Sequence, residues 1–255
     1  MSQYPTERPR VSLIAQMNPI TTALVLPAYN KASVIRQCLE GLLHVSDDEG
    51  LSLSILVVDD GSSDNTADVV RRFEDNRVQL LELGSNHGKG AAIRSGVAHL
   101  GGMHDNIGWF DADLDIFPST FALLARALER LPGTDGVIAS KTHPESTIDY
   151  PITRRIGSMA FSLFVRTLIG VRFRDTQTGA KLFRAQCARA LTSQCVIDGF
   201  AFDVEILALA EKNNHTIVEA PAELKLQIGS TVSISNILSA FRDVLTVRRA
   251  LQRTV

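Results

Sequence analysis

The chain has 255 residues, 45% hydrophobic and 21% charged, with a formal net charge of −2. That length accommodates one large α/β domain, or two small ones, with a core that needs no disulfide or metal staple. The near-neutral balance lacks the broad basic field of a nucleic-acid binder, so nucleic acid is not an expected partner and any anionic ligand is held by a local arrangement of charges.

Residues 1–20 carry Pro5, Pro9 and Pro19 among charges. They read as a loosely ordered lead-in and lack the apolar core of a signal peptide. Thr21–Pro27 (TTALVLP) is a compact apolar run ending at a turn signal, the pattern of a buried strand. Ile35, Cys38, Leu39, Leu42 and Leu43 recur at helical spacing, which predicts a helix over 31–44. Leu53–Asp59 is a second strand, and Ser63 or Asp64 caps a helix with Val69, Val70 and Phe73 on its apolar side. Val78–Leu83 is a third strand, 89–100 a third helix, and Ile107–Phe110 a fourth strand. A helix through Phe121, Leu124, Ala125, Leu128 and Leu131 leads to a strand at Gly136–Ser140.

The last third is less regular. Residues 153–170 read as helical, 175–184 (DTQTGAKLFR) as strand-like, and Asp203–Lys212 as a helix. A short strand at Thr216–Glu219 and a final helix over 234–252 complete the chain. Strands alternating with amphipathic helices predict an α/β fold with a mostly parallel central sheet and helices on both faces. Such sheets bind ligands at the carboxyl ends of their strands. Those ends here carry Tyr29–Asn30, Asp59–Asp60 and Asp111–Asp113. No run approaches the roughly 18 apolar residues of a spanning helix. Cys38, Cys187 and Cys195 form neither a CxxC pair nor a metal-like spacing with histidine, and read as small buried hydrophobes in a reducing compartment.

Asp111-Ala112-Asp113 follows an apolar strand. Two carboxylates one residue apart can converge on a divalent cation and the diphosphate it bridges, with Asp115 as a third oxygen source; read alone, the same residues also suit a solvated acidic turn. Asp59-Asp60-Gly61-Ser62-Ser63-Asp64 offers a carboxylate to a nucleobase, or is a plain strand-to-helix turn. Pro27-Ala28-Tyr29-Asn30 puts an aromatic ring beside the same place. Asn86-His87-Gly88-Lys89-Gly90 opens a helix whose first amides, with Lys89 or Arg94, suit an anionic group. It matches neither the dinucleotide nor the P-loop glycine pattern.

LPAYN, VVDDGSSDNT, NHGKGAAIRSG and FDADLD occur in that order, and together they resemble the family-2 glycosyltransferases of GT-A fold over residues 21–115. DTQTGAKLFR and GFAFDVEIL extend the resemblance to about residue 210, toward the branch that makes polyprenyl-phosphate sugars. DTQTG with FAFDVE is closer to the dolichyl-phosphate glucosyltransferases than to the mannose-phosphate synthases.

The resemblance implies a single GT-A domain over 21–230, with a nucleotide-binding half (21–115), an acceptor half (116–230), and a C-terminal amphipathic helix at 231–255. It places Asp60 on the base with Asp59 as its neighbour, and Pro27, Ala28, Tyr29 and Asn30 along the nucleotide pocket. Asp111 and Asp113 become ligands of Mg2+ or Mn2+ flanking Ala112, with Asp113 the more direct. The mannose branch often carries Gln where Asp115 stands, which leaves that residue's direct ligation open.

Lys141, in ASK, and Arg154 or Arg155 are the matching candidates for basic residues facing a lipid phosphate. The family frequently has Arg at the position of Lys141, and Lys keeps the charge without the bidentate geometry. Asp175 stands where many inverting relatives carry an acceptor-side acid. A phosphate acceptor is already anionic, so Asp175 can instead orient sugar or metal, with Gln177 and Lys181 shaping the pocket. Asp203 and Glu205 are open between site and structural ion-pair roles.

The implied activity is an inverting transfer of a hexose, glucose before mannose, from a nucleoside-diphosphate sugar such as UDP-glucose to a polyprenyl phosphate. Ile234, Ile237, Leu238, Phe241 and Leu245, with flanking arginines, offer a face for a membrane surface or for the domain's own core. The expected location is cytoplasmic, with peripheral attachment to the membrane face. A soluble glycan or small-molecule acceptor, and a catalytically silent nucleotide-sugar binder, remain as alternatives. A nucleotidyltransferase is disfavoured because its glycine- and arginine-rich first loop is missing.

Overall fold

A computed structural model describes residues 20–149, 162–225, 243–249 and 251. In chain order it contains β1 (Thr21–Ala28), α1 (Ile35–Asp48), β2 (Ser52–Asp59), α2 (Thr66–Arg71), β3 (Val78–Glu82), α3 (Lys89–Leu100), β4 (Asn106–Phe110), α4 (Ser119–Arg130), β5 (Gly136–Ser140) and β6 (Thr147–Asp149). After a helical stretch at 162–169 come β7 (Ala180–Arg184), α5 (Ala185–Thr192), α6 (Phe202–Lys212), β8 (Ile217–Pro221) and β9 (Glu223–Lys225). Residues 243–249 are helical again. The expectations for residues 1–19, for Arg154 and Arg155, and for Ile234, Ile237, Leu238 and Phe241 lie outside the described residues.

One seven-stranded sheet, ordered β3-β2-β1-β4-β7-β5-β8, organises these elements. β1 is parallel to β2 and β4, β2 to β3, and β5 to β8. The period of two along each strand divides the apolar residues between two layers. Ala23, Val25, Leu56 and Val58 pack under α3, α5 and α6, whereas Leu24, Leu26, Ile55 and Val57 pack under α1, α2 and α4. Trp109 anchors the first layer, stacked on Phe183 at 5.1 Å between ring centroids and edge-on to Phe202 at 5.6 Å. Strands buried on both faces explain why their sequences read as continuous apolar runs.

Three expectations shift. The strand expected over 175–184 is confined to Ala180–Arg184 and runs antiparallel to both neighbours, β4 and β5; residues 175–178 form a turn built on the Asp175 carboxylate. The first helix begins at Ile35 and runs to Asp48, because Lys31 to Val34 are used in a turn in which the Val34 and Ile35 amides donate to the Lys31 carbonyl. In the last helical stretch Val244 and Val247 are buried in the first layer, while Leu245 is 44% exposed. The core-facing stripe there is thus offset from the one that includes Leu245.

The three cysteines are free and buried, and burial pushes the Cys187 thiol up to about 12. Among the described residues no helix is long and apolar enough to cross a membrane.

β7 approaches β4 closely at Gly108, where a methyl group would collide with the Lys181 carbonyl. Gly108→Ala is therefore expected to lower stability by about 1–3 kcal/mol through overpacking. Urea unfolding checks this, and an unchanged midpoint would contradict the close approach.

Candidate functional site

β2, β1 and β4 are neighbours in the sheet and mutually parallel, so their carboxyl ends open on one edge. A cleft of about 290 Å³ lies there, lined by Pro27 and Ala28 of β1 with Tyr29 just after it, Asp60 after β2, and Asp111, Ala112 and Asp113 after β4. Lys89 and Phe200 contribute to the same walls. Tyr29 borders this space and is 45% exposed.

The Asp60 carboxylate is nearly buried and accepts the amides of His87 and Gly88, each at 2.8 Å. One face of this acid is thereby fixed on the approach to α3 while the residue still borders the cleft. Asp59 does not border it; its carboxylate receives the Ser62 hydroxyl and closes the turn. Gly61 makes that turn possible, at φ 71° with Ser85 backbone pressed against it. Asn30, expected along the nucleotide pocket, adopts φ 53° and works as a loop staple. Its amide donates to Ser62 Oγ at 2.9 Å and its side-chain oxygen accepts the Ser63 amide at 2.8 Å.

The amino end of α3 departs from expectation as well. The Gly90 and Ala91 amides donate to the Asp198 carbonyl at 2.6 and 3.2 Å. Arg94 donates to the Ile197 carbonyl at 2.6 Å and pairs with the Asp198 carboxylate, so it does not reach the cleft. The anion-binding capacity of this helix start is spent on a neighbouring loop.

Lys89 lies between two carboxylates, 2.7 Å from Asp111 Oδ1 and 2.8 Å from Asp203 Oδ2. Burial opposes its charge, but the two acids outweigh burial and hold the ammonium above its ordinary range. Lys181, placed beside the acceptor pocket by the sequence, is instead 1% exposed, with its ammonium 2.6 Å from Asp203 Oδ1 and 2.7 Å from the Thr178 carbonyl. Glu205 is structural: its carboxylate accepts the amides of Val196 and Ile197.

A second cavity, about 120 Å³, adjoins the first across Asp111 and Asp113 and is also lined by Asp115, Lys141, Gln177 and Lys225. Burial pushes the Asp111 carboxyl up and Asp113 adds to the push, against the opposing charge of Lys89. The donor set, two hard carboxylates on the wall shared by both cavities, fits a divalent ion completed by substrate oxygens. It does not fit a closed protein cage, because no group of three or more acidic, His or Cys residues is gathered for a metal among the described residues.

Asp175 lines neither cavity. It is 1% exposed and accepts the Lys141 amide at 2.8 Å and the Gln177 amide at 3.0 Å, with the Lys141 ammonium 3.5 Å away. The sequence put Asp175 at the acceptor; the structure turns it inward, behind Lys141. Lys31, Phe200 and Lys225 were missed. Lys31 follows the first-strand motif directly and could have been included with it. Phe200 and Lys225 reach the site only through tertiary packing, Lys225 through its amide on the Asp115 carbonyl at 3.0 Å.

Residues 23–192 match the family model described as glycosyl transferase family 2. The chain belongs to that family. It is a glycosyltransferase, and the sheet and its flanking helices are the GT-A fold. It is 29% identical to a dolichyl-phosphate beta-glucosyltransferase of Dictyostelium discoideum, over 93% of this chain and 77% of that one. Another dolichyl-phosphate beta-glucosyltransferase, ALG5A of Trichomonas vaginalis, is 30% identical over 88% of this chain and 72% of that one. In fold it is similar to the glucosyl-3-phosphoglycerate synthase of Mycobacterium tuberculosis, solved with Mn2+, UDP and phosphoglyceric acid: TM-score 0.69 at 18% identity, covering 89% of this chain and 77% of that one.

The inward Asp175 gives this glycosyltransferase a pH signature. Burial alone would raise its carboxyl, but the Lys141 charge, the Thr178 hydroxyl and the two amides outweigh burial and hold it below the ordinary 3.8. A carboxyl depressed in the folded state stabilises the fold above its unfolded pKa, and that contribution is lost as pH falls through the folded value. Asp175→Asn is expected to lower the urea midpoint at pH 7, with the deficit shrinking below about pH 4. A deficit that grows on acidification would contradict this.

Proposed function

We propose that this glycosyltransferase moves a glucosyl group from a nucleoside-diphosphate sugar to a polyprenyl phosphate, inverting the anomeric centre. The observation that carries the proposal is the pair of cavities meeting at Asp111 and Asp113, one bordered by Tyr29 and Asp60 and the other by Lys141 and Lys225. The names of the relatives support glucose as the sugar and a polyprenyl phosphate as the acceptor.

In this reading the larger cleft takes the nucleotide, with Tyr29 beside the base and Asp60 bordering it. Asp111 and Asp113 would hold a Mg2+ or Mn2+ ion, which would supply charge neutralisation at the diphosphate. Lys141 and Lys225 receive the acceptor phosphate. One phosphate oxygen forms the bond to the anomeric carbon while the bond from that carbon to the diphosphate breaks, and the diphosphate leaves with the electron pair. The attacking oxygen carries no proton to remove, so no general base is required. The inward placement of Asp175 agrees with that chemistry.

Attachment to the cytoplasmic face of a membrane belongs to the same reading. Phe200 is 71% exposed at the cleft and Leu245 is 44% exposed in the last helical stretch, where Arg248 and Arg249 face outward. Aromatic and basic side chains together suit an anionic interface.

A soluble phosphorylated acid is the second reading, favoured by the phosphoglyceric acid in the structurally similar synthase and by the same two lysines. Transfer from UDP-glucose to a short polyprenyl phosphate, run beside phosphoglyceric acid, separates the two; turnover of phosphoglyceric acid alone would overturn the lipid acceptor. Transfer to neither would point to another acceptor, such as a soluble glycan. Asp113→Ala is expected to cut turnover roughly 10²-fold or more with the melting temperature unchanged; full activity at saturating Mn2+ would defeat the assignment. Lys225→Ala is expected to raise the acceptor KM about ten-fold, a loss typical of one charge-assisted contact, while UDP affinity stays constant. A change in UDP affinity alone would move Lys225 to the donor side.

A further inference from the structure

The buried charges behind the cleft form a chain, Asp111 to Lys89 to Asp203 to Lys181, with successive contacts of 2.7, 2.8 and 2.6 Å. Asp203 is anchored without Lys89: its Oδ1 takes Lys181 at 2.6 Å and the Trp109 indole N–H at 3.4 Å, leaving Oδ2 for Lys89. Asp111 is constrained too, since its carboxylate packs against Gly179 where any Cβ would collide, and its Oδ1 is taken by Lys89. A divalent ion approaching Asp111 therefore meets an ammonium already at contact distance. Two cations on one carboxylate repel strongly in a site of low dielectric.

Lysine suits displacement, because a compact ammonium on a flexible stem can rotate about one retained partner. Asp203 is that partner. Lys89 also borders the larger cleft, so rotation away from Asp111 carries its charge toward the space assigned to the diphosphate.

We propose that Lys89 is a tethered counter-cation for Asp111, displaced by the divalent ion and drawn off by the donor diphosphate, so that ion and nucleotide bind cooperatively. This rests on Asp111 and Asp113 being ligands of the ion. Asp203 is the positioning residue, acting through Lys89.

The test is Mn2+ binding by the full chain, followed by the EPR signal of free Mn2+ with and without UDP. Lys89→Met is expected to tighten binding of Mn2+ alone about ten-fold, within the usual range of site-to-site coupling, and UDP should then add less than in the unaltered chain. Asp203→Asn leaves Lys89 with Asp111 as its one full charge and is expected to weaken binding of Mn2+ alone. These opposite signs are not what loss of packing produces. Lys89→Met on an Asp111→Asn background should give no tightening.

Unchanged or weaker Mn2+ binding in folded Lys89→Met overturns the proposal. If that variant does not fold, tighter Mn2+ binding by Asp203→Asn overturns it instead. If the unaltered chain takes up no Mn2+ even with UDP, the ligand assignment itself falls and takes this proposal with it. Uptake by the unaltered chain that does not respond to Lys89→Met removes only the tether.

Discussion

Four charges removed from water behind the strand ends have to cancel one another, and the fold is arranged so that they do. Asp111 stands at the end of β4, Lys89 at the start of α3, Asp203 in the first turn of α6 and Lys181 in β7. Their side chains range from 1% to 26% exposed, deepest at Lys181. Burying an ion costs several kcal/mol even after relaxation, and removing one partner of a buried pair leaves about 3–5 kcal/mol uncompensated. Two acids and two lysines from four elements satisfy this only when those elements hold their relative positions. The orientation of Asp111 toward the cleft is therefore set through Lys89 by Asp203 and Lys181, which do not border the cleft.

The loops above the sheet follow the same economy of polar groups. At the approach to α3 the free amides are satisfied internally, by the Asp60 carboxylate and the Asp198 carbonyl. Buried backbone donors need partners whatever the function. Binding the 196–198 segment to α3, with Arg94 and Glu205 reinforcing it, holds Phe200 beside the cleft. A helix start that resembles an anion site in sequence thus serves here to position a wall of the pocket.

The sheet edge that carries the cleft was legible in the sequence because its signals are local. Apolar runs gave β1, β2 and β4, and the residues just after each run form the cleft, since parallel neighbours open on one edge. Periodicity carries no direction, which is why the reversal of β7 between β4 and β5 was not visible. Asn30, Arg94 and Asp175 were assigned by residue type and motif position, yet each is consumed by loops or by Lys141 from elsewhere in the chain. Lys225 carries no local signal at all, and Phe200 lies in the GFAFDVEIL motif, which does not mark it as a pocket wall. One belongs to a short strand pair that meets Asp115 through backbone, the other to a loop held by α3.

The crossing of β7 has a consequence for biogenesis. β1, β2 and β3 find their partners among near neighbours in sequence, whereas the outer side of β4 waits for β7, and Trp109 waits for Phe183 and Phe202. On a ribosome the indole emerges well before either ring that covers it. The nascent segment from β1 to β4 therefore presents a bare aromatic face throughout the synthesis of the segment between, and transiently exposed apolar surface of that kind is prone to aggregation.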